Sequence, residues 1–208
     1  YQGIDLLFDA IPRVVRAEPR ARFVIVGGSP GEIAARQTAL ADAGCADAVL
    51  FLGFIAPDVL PGYLAAMDIL LSPRTAGSNT PLKLLDYLKA GVAIVATDCL
   101  ANRLILDNTL AQMTALDSRS FAEGILSLCR DGNRREALRR HGTERLRERH
   151  NFQHFKEALR SCYDYLTDAD VARGSRHPAR HPASVPRRAS KRKRSTSASS
   201  LKSSGGKA

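Results

Sequence analysis

The stretch from Ser72 to Tyr87 combines a polar loop, a lysine and a carboxylate in an order that suits the binding of a phosphorylated ligand. It reads SPRTAGSNTPLKLLDY, a small polar loop that leads into a predicted helix with Pro81 in its first turn. Backbone amides at a helix start carry partial positive charge that suits a diphosphate. Lys83 adds a full positive charge, and Asp86, three residues later, could accept two hydrogen bonds from a ribose diol. The stretch therefore favours a phosphorylated nucleoside over an ordinary capped helix.

Two further glycine-containing loops follow predicted strands. Gly27 and Gly28 open the loop GGSPG, where a backbone can approach a ligand closely and the next helix start could hold phosphate. Gly53 and Phe54 end another strand, where an apolar ring and free backbone groups could hold a base. A tight turn explains the first loop equally well, and core packing explains Phe54.

The order of predicted elements brings these loops to one edge of a sheet. Short apolar runs predict strands at residues 22–27, 48–54, 68–72 and 92–97. Helices are predicted between them at residues 32–43, 60–67 and 81–90, the last with Gly91 just past its end. Strands that alternate with helices predict the α/β class, a Rossmann-like parallel sheet with helices on both faces. Such sheets bind ligands beyond the carboxyl ends of their strands.

After Asp98 the pattern becomes helical, with helices predicted at residues 120–130, 134–150 and 152–166. Five positions are expected to be buried: Leu138, Leu146, Phe155, Leu159 and Tyr163. The Arg-rich helix RREALRRHGTERLRERH is interleaved with Glu136, Glu144 and Glu148. Opposite charges at helical spacing indicate an ion-paired surface rather than a nucleic-acid-binding one.

Nearly all of the net charge of +10 belongs to the end of the chain. Residues 167–208 hold eleven Lys or Arg and two Asp, which leaves 20 basic against 19 acidic residues elsewhere. Ser, Arg, Lys, Pro and Gly dominate this segment, so we expect a disordered basic tail at 167–208. Its cluster from Arg187 to Arg194 could contact an anionic membrane, another polyanion or no specific partner.

The cysteines and apolar runs exclude several classes of protein. Cys45, Cys99, Cys129 and Cys162 form no CxxC pair, so neither a metal site nor redox chemistry is expected. Free thiols fit the cytoplasm. No apolar run approaches the roughly 20 residues that cross a bilayer. Because the first residue is Tyr1 and no leader follows it, we expect a fragment or a processed product.

From Tyr1 to about Tyr165 the chain resembles the C-terminal lobe of GT-B-fold, family-4-type (group 1) retaining glycosyltransferases. The stretches that carry the resemblance are YQGIDLLFDAIP, FVIVGG, VLFLGF, LPGYLAAMDILLSPR, SNTPLKLLDYLKAGVAIVATD and FAEGILSLCRD. It implies transfer of a sugar from a UDP- or GDP-sugar to an acceptor glycan or lipid-linked glycan, as in polysaccharide biosynthesis, with no required metal or other cofactor. It also implies a cytoplasmic enzyme, peripheral at the inner face of the membrane.

The resemblance also implies site residues. The loop of Gly77, Ser78, Asn79, Thr80 and Pro81 would wrap the donor sugar and diphosphate. Asp86 would hold the ribose, and the region of Gly53 and Phe54 would lie beside the base. Residues 1–166 would then form a nucleotide-sugar-binding lobe, whose first strand and acceptor-binding N-terminal lobe would precede Tyr1. We expect the chain alone to bind nucleotide weakly and to catalyse nothing, because transfer needs both lobes.

Three positions depart from the family pattern. The first acidic position of its spaced pair is Ser78, and the second is the shorter Asp86. The family's basic pair is incomplete because its Lys position is Gln2. We hypothesise that Lys83 and Arg74 replace this charge in the catalytic role of stabilising the diphosphate.

Three alternative functions remain open from the sequence. A non-catalytic nucleotide-binding module of the same fold would account for Ser78 and Gln2. A nicotinamide- or flavin-dependent oxidoreductase is disfavoured because no GxGxxG opens a helix after the first strand. A nucleic-acid-binding protein would act through the basic tail.

Overall fold

Five short parallel strands in two sheets form the centre of the described structure, a computed structural model that covers residues 1–149 and 152–172. In the first sheet, β1 (Phe23–Val26) pairs with β2 (Val49–Gly53). In the second, the order is β3 (Ile69–Ser72), β4 (Ala93–Thr97) and β5 (Gln112–Thr114). Because all pairs are parallel, the carboxyl ends of the strands within each sheet lie at one edge.

Helices connect and follow these strands. They are α1 (Ile4–Ala17), α2 (Pro30–Asp42), α3 (Leu60–Ala65), α4 (Lys83–Ala90), α5 (Leu100–Arg103), α6 (Ser118–Arg130), α7 (Gly132–Arg149) and α8 (Phe152–Ala172), with a short 3-10 helix at Ala46–Ala48. The first compact unit spans residues 1–161, and the second begins at Cys162, within α8.

One hydrophobic cluster lies between both sheets and the helices α1 and α6. Ile11 and Val14 of α1 are fully buried in it, as are Phe121 and Leu128 of α6. Side chains that alternate along four strands reach this cluster: Phe23, Ile25, Val49, Phe51, Ile69, Leu71, Ala93 and Val95. The two sheets therefore share one core although no backbone ladder joins them.

The opposite face of the three-stranded sheet packs against α4 and α7. Leu70, Ile94 and Ala96 point to this side and lie in one hydrophobic cluster with Leu84 and Leu88 of α4. Leu146 of α7, which the sequence predicts to be buried, is partly buried and packs against this cluster. Successive side chains of a strand alternate between its faces, so those of β3 and β4 enter two different clusters. Helices cover both faces of this sheet.

Every strand and helix predicted from the sequence is present, with small shifts at the ends. The largest shift that affects the site is in α4, which begins at Lys83 instead of Pro81. Leu84 donates its amide to the Pro81 carbonyl at 2.9 Å, so the residues before the helix form a tighter turn. Helices α1 and α5 and strand β5, which has only three residues, were not predicted as elements.

The predictions for the last helix are partly wrong. Phe155, Leu159 and Tyr163 are 61%, 44% and 63% exposed, although helical spacing suggested burial, whereas Leu138 is buried as predicted. Amphipathic spacing identifies an apolar stripe but not whether anything covers it. Helix α8 also continues to Ala172, past residue 166. Residues 173–208, with the basic cluster of the predicted tail, lie outside the described residues.

The described part of the chain holds neither a membrane-spanning helix nor a metal-binding cluster. None of its helices is long and apolar enough to cross a membrane. Within the same residues, no group of three or more His, Cys, Asp or Glu side chains is placed to hold a metal ion.

Candidate functional site

The carboxyl ends of β1 and β3 both lie near the residues that precede α1. The amide of Thr75, just after β3, donates to the carbonyl of Tyr1 at 3.1 Å. Tyr1 lines a cavity of about 430 Å³ together with Gly27 and Gly28, which follow β1. The start of the chain therefore links the loops after β1 and β3, which belong to different sheets.

Arg74 is a buried cation in the loop after β3, only 2% exposed. Its Nε donates to the carbonyl of Ala76 at 2.8 Å, and its Nη2 donates to Oδ1 of Asn79 at 2.5 Å. Its guanidinium carbon lies 5.1 Å from the centroid of the Tyr1 ring, which is cation–π distance. These contacts hold the loop against the guanidinium.

Lys83 is the second cation of this site and opens α4. It is half-buried, and its pKa is lowered by burial and by the positive charge of Arg74. Among the described residues, no carboxylate forms an ion pair with Lys83 or Arg74. Two neighbouring cations without an internal anion form a region of positive potential that an external anion would neutralise.

The loop between the two cations is exposed and closely packed on Arg74 at one point. Gly77 has φ of +111°, and a Cβ atom there would lie 2.3 Å from Nη2 of Arg74. Residues with a side chain rarely adopt that backbone conformation, so glycine is favoured there. Ser78, Asn79 and Thr80 are exposed, and Pro81 is buried. Three consecutive polar residues thus face solvent beside the buried cation.

Asp86 lies in the first turn of α4 and is exposed. Its carboxylate forms no ion pair within the described chain. The neighbouring Tyr87 is instead packed inward, where burial and the negative charge of Asp86 raise the pKa of its phenol. An exposed carboxylate near the helix start remains available as a hydrogen-bond acceptor.

The loop after β1 leads to a helix start that is capped by a carboxylate of the chain itself. Ser29 and Glu32 form a reciprocal cap at the start of α2, in which the Ser29 amide donates to Oε2 of Glu32 at 2.8 Å. This hydrogen bond lowers the pKa of Glu32. The chain's own carboxylate therefore occupies the helix start that the sequence suggested for phosphate, and it would repel a second anion.

The remaining predicted residues lie beyond the end of β2. The carbonyl of Gly53 accepts a hydrogen bond from the Gly27 amide at 2.6 Å, so these two loops touch. Phe54 is 85% exposed, which removes core packing as its explanation. The 430 Å³ cavity includes Gly27 and Gly28 but not Gly53, Phe54, Arg74, the 77–81 loop, Lys83 or Asp86.

Sequence reasoning missed the charged wall of this cavity. Arg36 of α2 pairs with Asp5 of α1, and its guanidinium carbon lies 4.8 Å from the centroid of the Phe8 ring. All three side chains line the cavity. The spacing of Arg36, one turn after Glu32, could have indicated a cation at this helix start, but its partner lies 31 residues earlier.

The chain matches a family model and several curated relatives. The model described as "Glycosyl transferases group 1" matches residues 1–131. The GDP-mannose-dependent alpha-(1-6)-phosphatidylinositol monomannoside mannosyltransferase of Mycobacterium tuberculosis is 37% identical over 101 residues, which cover 46% of this chain and 26% of that protein. The chain thus spans about a quarter of this relative's length.

Solved structures share the fold. The Anabaena HepE protein in complex with UDP matches with a TM-score of 0.68 and 20% identity, over 77% of this chain and 46% of that one. The C-terminal domain of a group 1 family glycosyl transferase from Francisella tularensis matches with a TM-score of 0.65 and 20% identity, over 73% of this chain and 80% of that one. These matches confirm the fold class predicted from the sequence.

Proposed function

Because the chain belongs to the group 1 glycosyltransferases, we propose that residues 1–166 form the donor-binding lobe of a retaining enzyme. In this role the lobe holds a nucleoside diphosphate sugar while another part of the whole protein presents the acceptor. The observation that carries the proposal is the pair of cations Arg74 and Lys83, on either side of the 75–80 loop, with which no carboxylate of the described residues forms an ion pair.

The diphosphate is the group that best fits this charge. It would bring negative charge to Lys83 and to the positive end of the α4 dipole, which relieves the unfavourable burial of the lysine. As the bond between the sugar and the diphosphate breaks, negative charge grows on the departing oxygen. Fixed positive groups stabilise that charge without a protein nucleophile, which is the catalytic role proposed for Lys83 and Arg74.

The other site residues take the remaining parts of the donor. The exposed side chains of Ser78, Asn79 and Thr80 supply hydrogen bonds to the sugar. Asp86 accepts from the ribose hydroxyls. Phe54, exposed at the end of β2, offers a ring for the base, and Gly27 and Gly28 leave room for the nucleotide beside it.

The donor is proposed to be a UDP- or GDP-sugar, with no metal required. One matched structure contains UDP, and a curated relative is named for its use of GDP-mannose. The acceptor is proposed to be a glycan or a lipid-linked glycan, because the names of the mycobacterial relatives include phosphatidylinositol acceptors. A basic tail at the inner face of the membrane would suit such an acceptor.

The proposed enzyme includes a further strand and a second lobe, and the division of the sheet supports the strand. The carbonyl of Tyr1 lies beside the end of β3, and Tyr1 lines the same cavity as Gly27 after β1. A strand that ran into Tyr1 would therefore lie between the two sheets and join them. The acceptor-binding lobe would face the carboxyl edge, where the donor is held.

A non-catalytic nucleotide-binding module is the second candidate. It is favoured by Ser78, which is exposed on the loop where the family pattern has a glutamate. It shares every nucleotide contact proposed above and differs only in lacking sugar transfer, which an activity assay of the whole protein measures.

Replacing Asp86 with Ala tests the ribose contact. We expect the affinity for UDP or GDP to fall about 10-fold, because a charge-assisted hydrogen bond is lost. The measurement is calorimetric titration of the wild type and of Asp86→Ala with UDP and with 2′-deoxy-UDP. The difference in affinity between the two proteins should be smaller for 2′-deoxy-UDP than for UDP. The deoxy compound lacks one of the hydroxyls that donate to Asp86.

The matched control is Asp9→Ala, which removes an exposed helical aspartate from α1. This variant should bind both nucleotides as the wild type does. An unchanged UDP affinity in Asp86→Ala would contradict the ribose assignment.

A further inference from the structure

A network of buried polar side chains joins the carboxyl ends of β3 and β4. Ser72, Thr97 and Asn102 are fully buried, in a protein whose other buried side chains are mostly apolar. Oγ of Ser72 donates to Oδ1 of Asn102 at 3.2 Å, and Nδ2 of Asn102 donates to the carbonyls of Thr97 at 2.9 Å and Ser72 at 3.3 Å. Asn102 on α5 thus connects the last residues of two neighbouring strands.

The network ends on the backbone of the candidate site. The hydroxyl of Thr97 donates to the carbonyl of Arg74, and Nδ2 of Asn102 lies 3.2 Å from that hydroxyl oxygen. Arg74 in turn holds Ala76 and Asn79 through its guanidinium. A continuous path of hydrogen bonds therefore runs from Asn102 to the 75–80 loop.

The side chain at position 102 must present one acceptor and one donating amide. Its amide nitrogen faces two carbonyl oxygens, and its oxygen faces the Ser72 hydroxyl. These partners determine the orientation of the Asn102 side-chain amide. An aspartate would bring a buried negative charge against two carbonyls. A leucine would leave both carbonyls without this donor.

We propose that Asn102 is a positioning residue for the donor site, which fixes the backbone of Arg74 and through it the loop that receives the diphosphate. Asn102 is fully buried and therefore acts through Arg74 and not by touching the nucleotide. The nucleotide part of this inference rests on the proposed function. The effect of Asn102 on Arg74 does not.

The Nε–H group of Arg74 reports on this positioning without any ligand. It is buried and donates to Ala76, so it should exchange slowly with solvent and give its own NMR resonance. In Asn102→Asp we expect this exchange to quicken about 10-fold, the effect of losing one net hydrogen bond. The amides of α6, deep in the other core, should change by less than about 2-fold.

Two outcomes would overturn the proposal. One is unchanged Nε–H exchange of Arg74 in Asn102→Asp. The other is an equal increase in α6, which would show that Asn102 stabilises the protein as a whole. If Asn102→Asp does not fold, Ser72→Ala decides by the same comparison, since it removes only the hydroxyl that donates to Asn102.

Asn108→Asp is the matched control, because Asn108 is exposed six residues further along. It should leave the Arg74 resonance unchanged. Titration of the same variants with UDP extends the test, and Asn102→Asp should weaken binding about 10-fold. If the wild type binds no nucleotide, the proposed function fails, while the resonance of Arg74 still tests Asn102.

Discussion

Replacing Lys83 with Met is expected to lower the affinity for a nucleoside diphosphate about 10- to 100-fold and to stabilise the folded protein at neutral pH. The affinity falls because a charged hydrogen-bond donor to the diphosphate is lost. Stability rises because Lys83 is half-buried beside Arg74, and their like charges repel. Methionine keeps most of the length of the side chain without its charge. Calorimetric titration and urea denaturation measure the two effects.

The pH dependence of stability gives an independent check on Lys83. Because its pKa is lowered from 10.5, the folded protein releases this proton at a lower pH than the unfolded chain does. Between the lowered pKa and about 10.5 the unfolded chain binds more protons, so the free energy of unfolding gains a contribution that increases with pH. Lys83→Met should lack this contribution.

Lys89→Met is the control for both effects, because Lys89 is an exposed lysine in the last turn of the same helix. It should keep the nucleotide affinity and the pH dependence of the wild type. A Lys83→Met variant that binds UDP and GDP as tightly as the wild type would remove Lys83 from the site.

Replacing Gly3 with Ala should reduce the free energy of unfolding by about 2–4 kcal/mol, a large effect for one methyl group. Gly3 has φ of +72°, and a Cβ atom there would lie 1.7 Å from the carbonyl oxygen of Pro73. The neighbour is backbone, so no side-chain rotation can relieve the overlap. The start of α1 must then move away from the end of β3, which also breaks the hydrogen bond between Thr75 and Tyr1.

Urea denaturation measures this loss, and Gly31→Ala is the matched control. Gly31 lies at the start of α2, where an added Cβ meets no atom within 4 Å and φ is not positive. Alanine there should leave stability equal or slightly higher, because it favours the helix. If the free energy of unfolding of Gly3→Ala is within about 0.5 kcal/mol of the wild-type value, the close approach between α1 and β3 is absent.

The fold was largely predictable because its signals are local. The runs FVIV and AIVAT are strands on composition alone, and Gly91 ends α4 with φ of +65° as its position predicts. The alternation of strands and helices then predicted an α/β fold with parallel strands. The division into two sheets was not predicted, because pairing between β1 and β3 depends on what lies between them.

The site was less predictable because its contacts are distant in sequence. Lys83 and Arg74 could be singled out by their places on either side of the polar loop, but not the burial of Arg74 or its hydrogen bonds to Ala76 and Asn79. The path from Asn102 to Arg74 joins residues 28 apart, with no motif to indicate it. Exposure along α8 also could not be predicted, since periodicity does not reveal a covering surface.

An NMR titration of the isotope-labelled protein with UDP, GDP and NAD at millimolar concentrations would show whether this site binds a nucleoside diphosphate. We expect UDP or GDP to shift the amide resonances from Gly77 to Leu85 and the Nε–H resonance of Arg74, and NAD to leave them unchanged. Resonance shifts confined to other parts of the protein, or none with either nucleoside diphosphate, would contradict binding at this site.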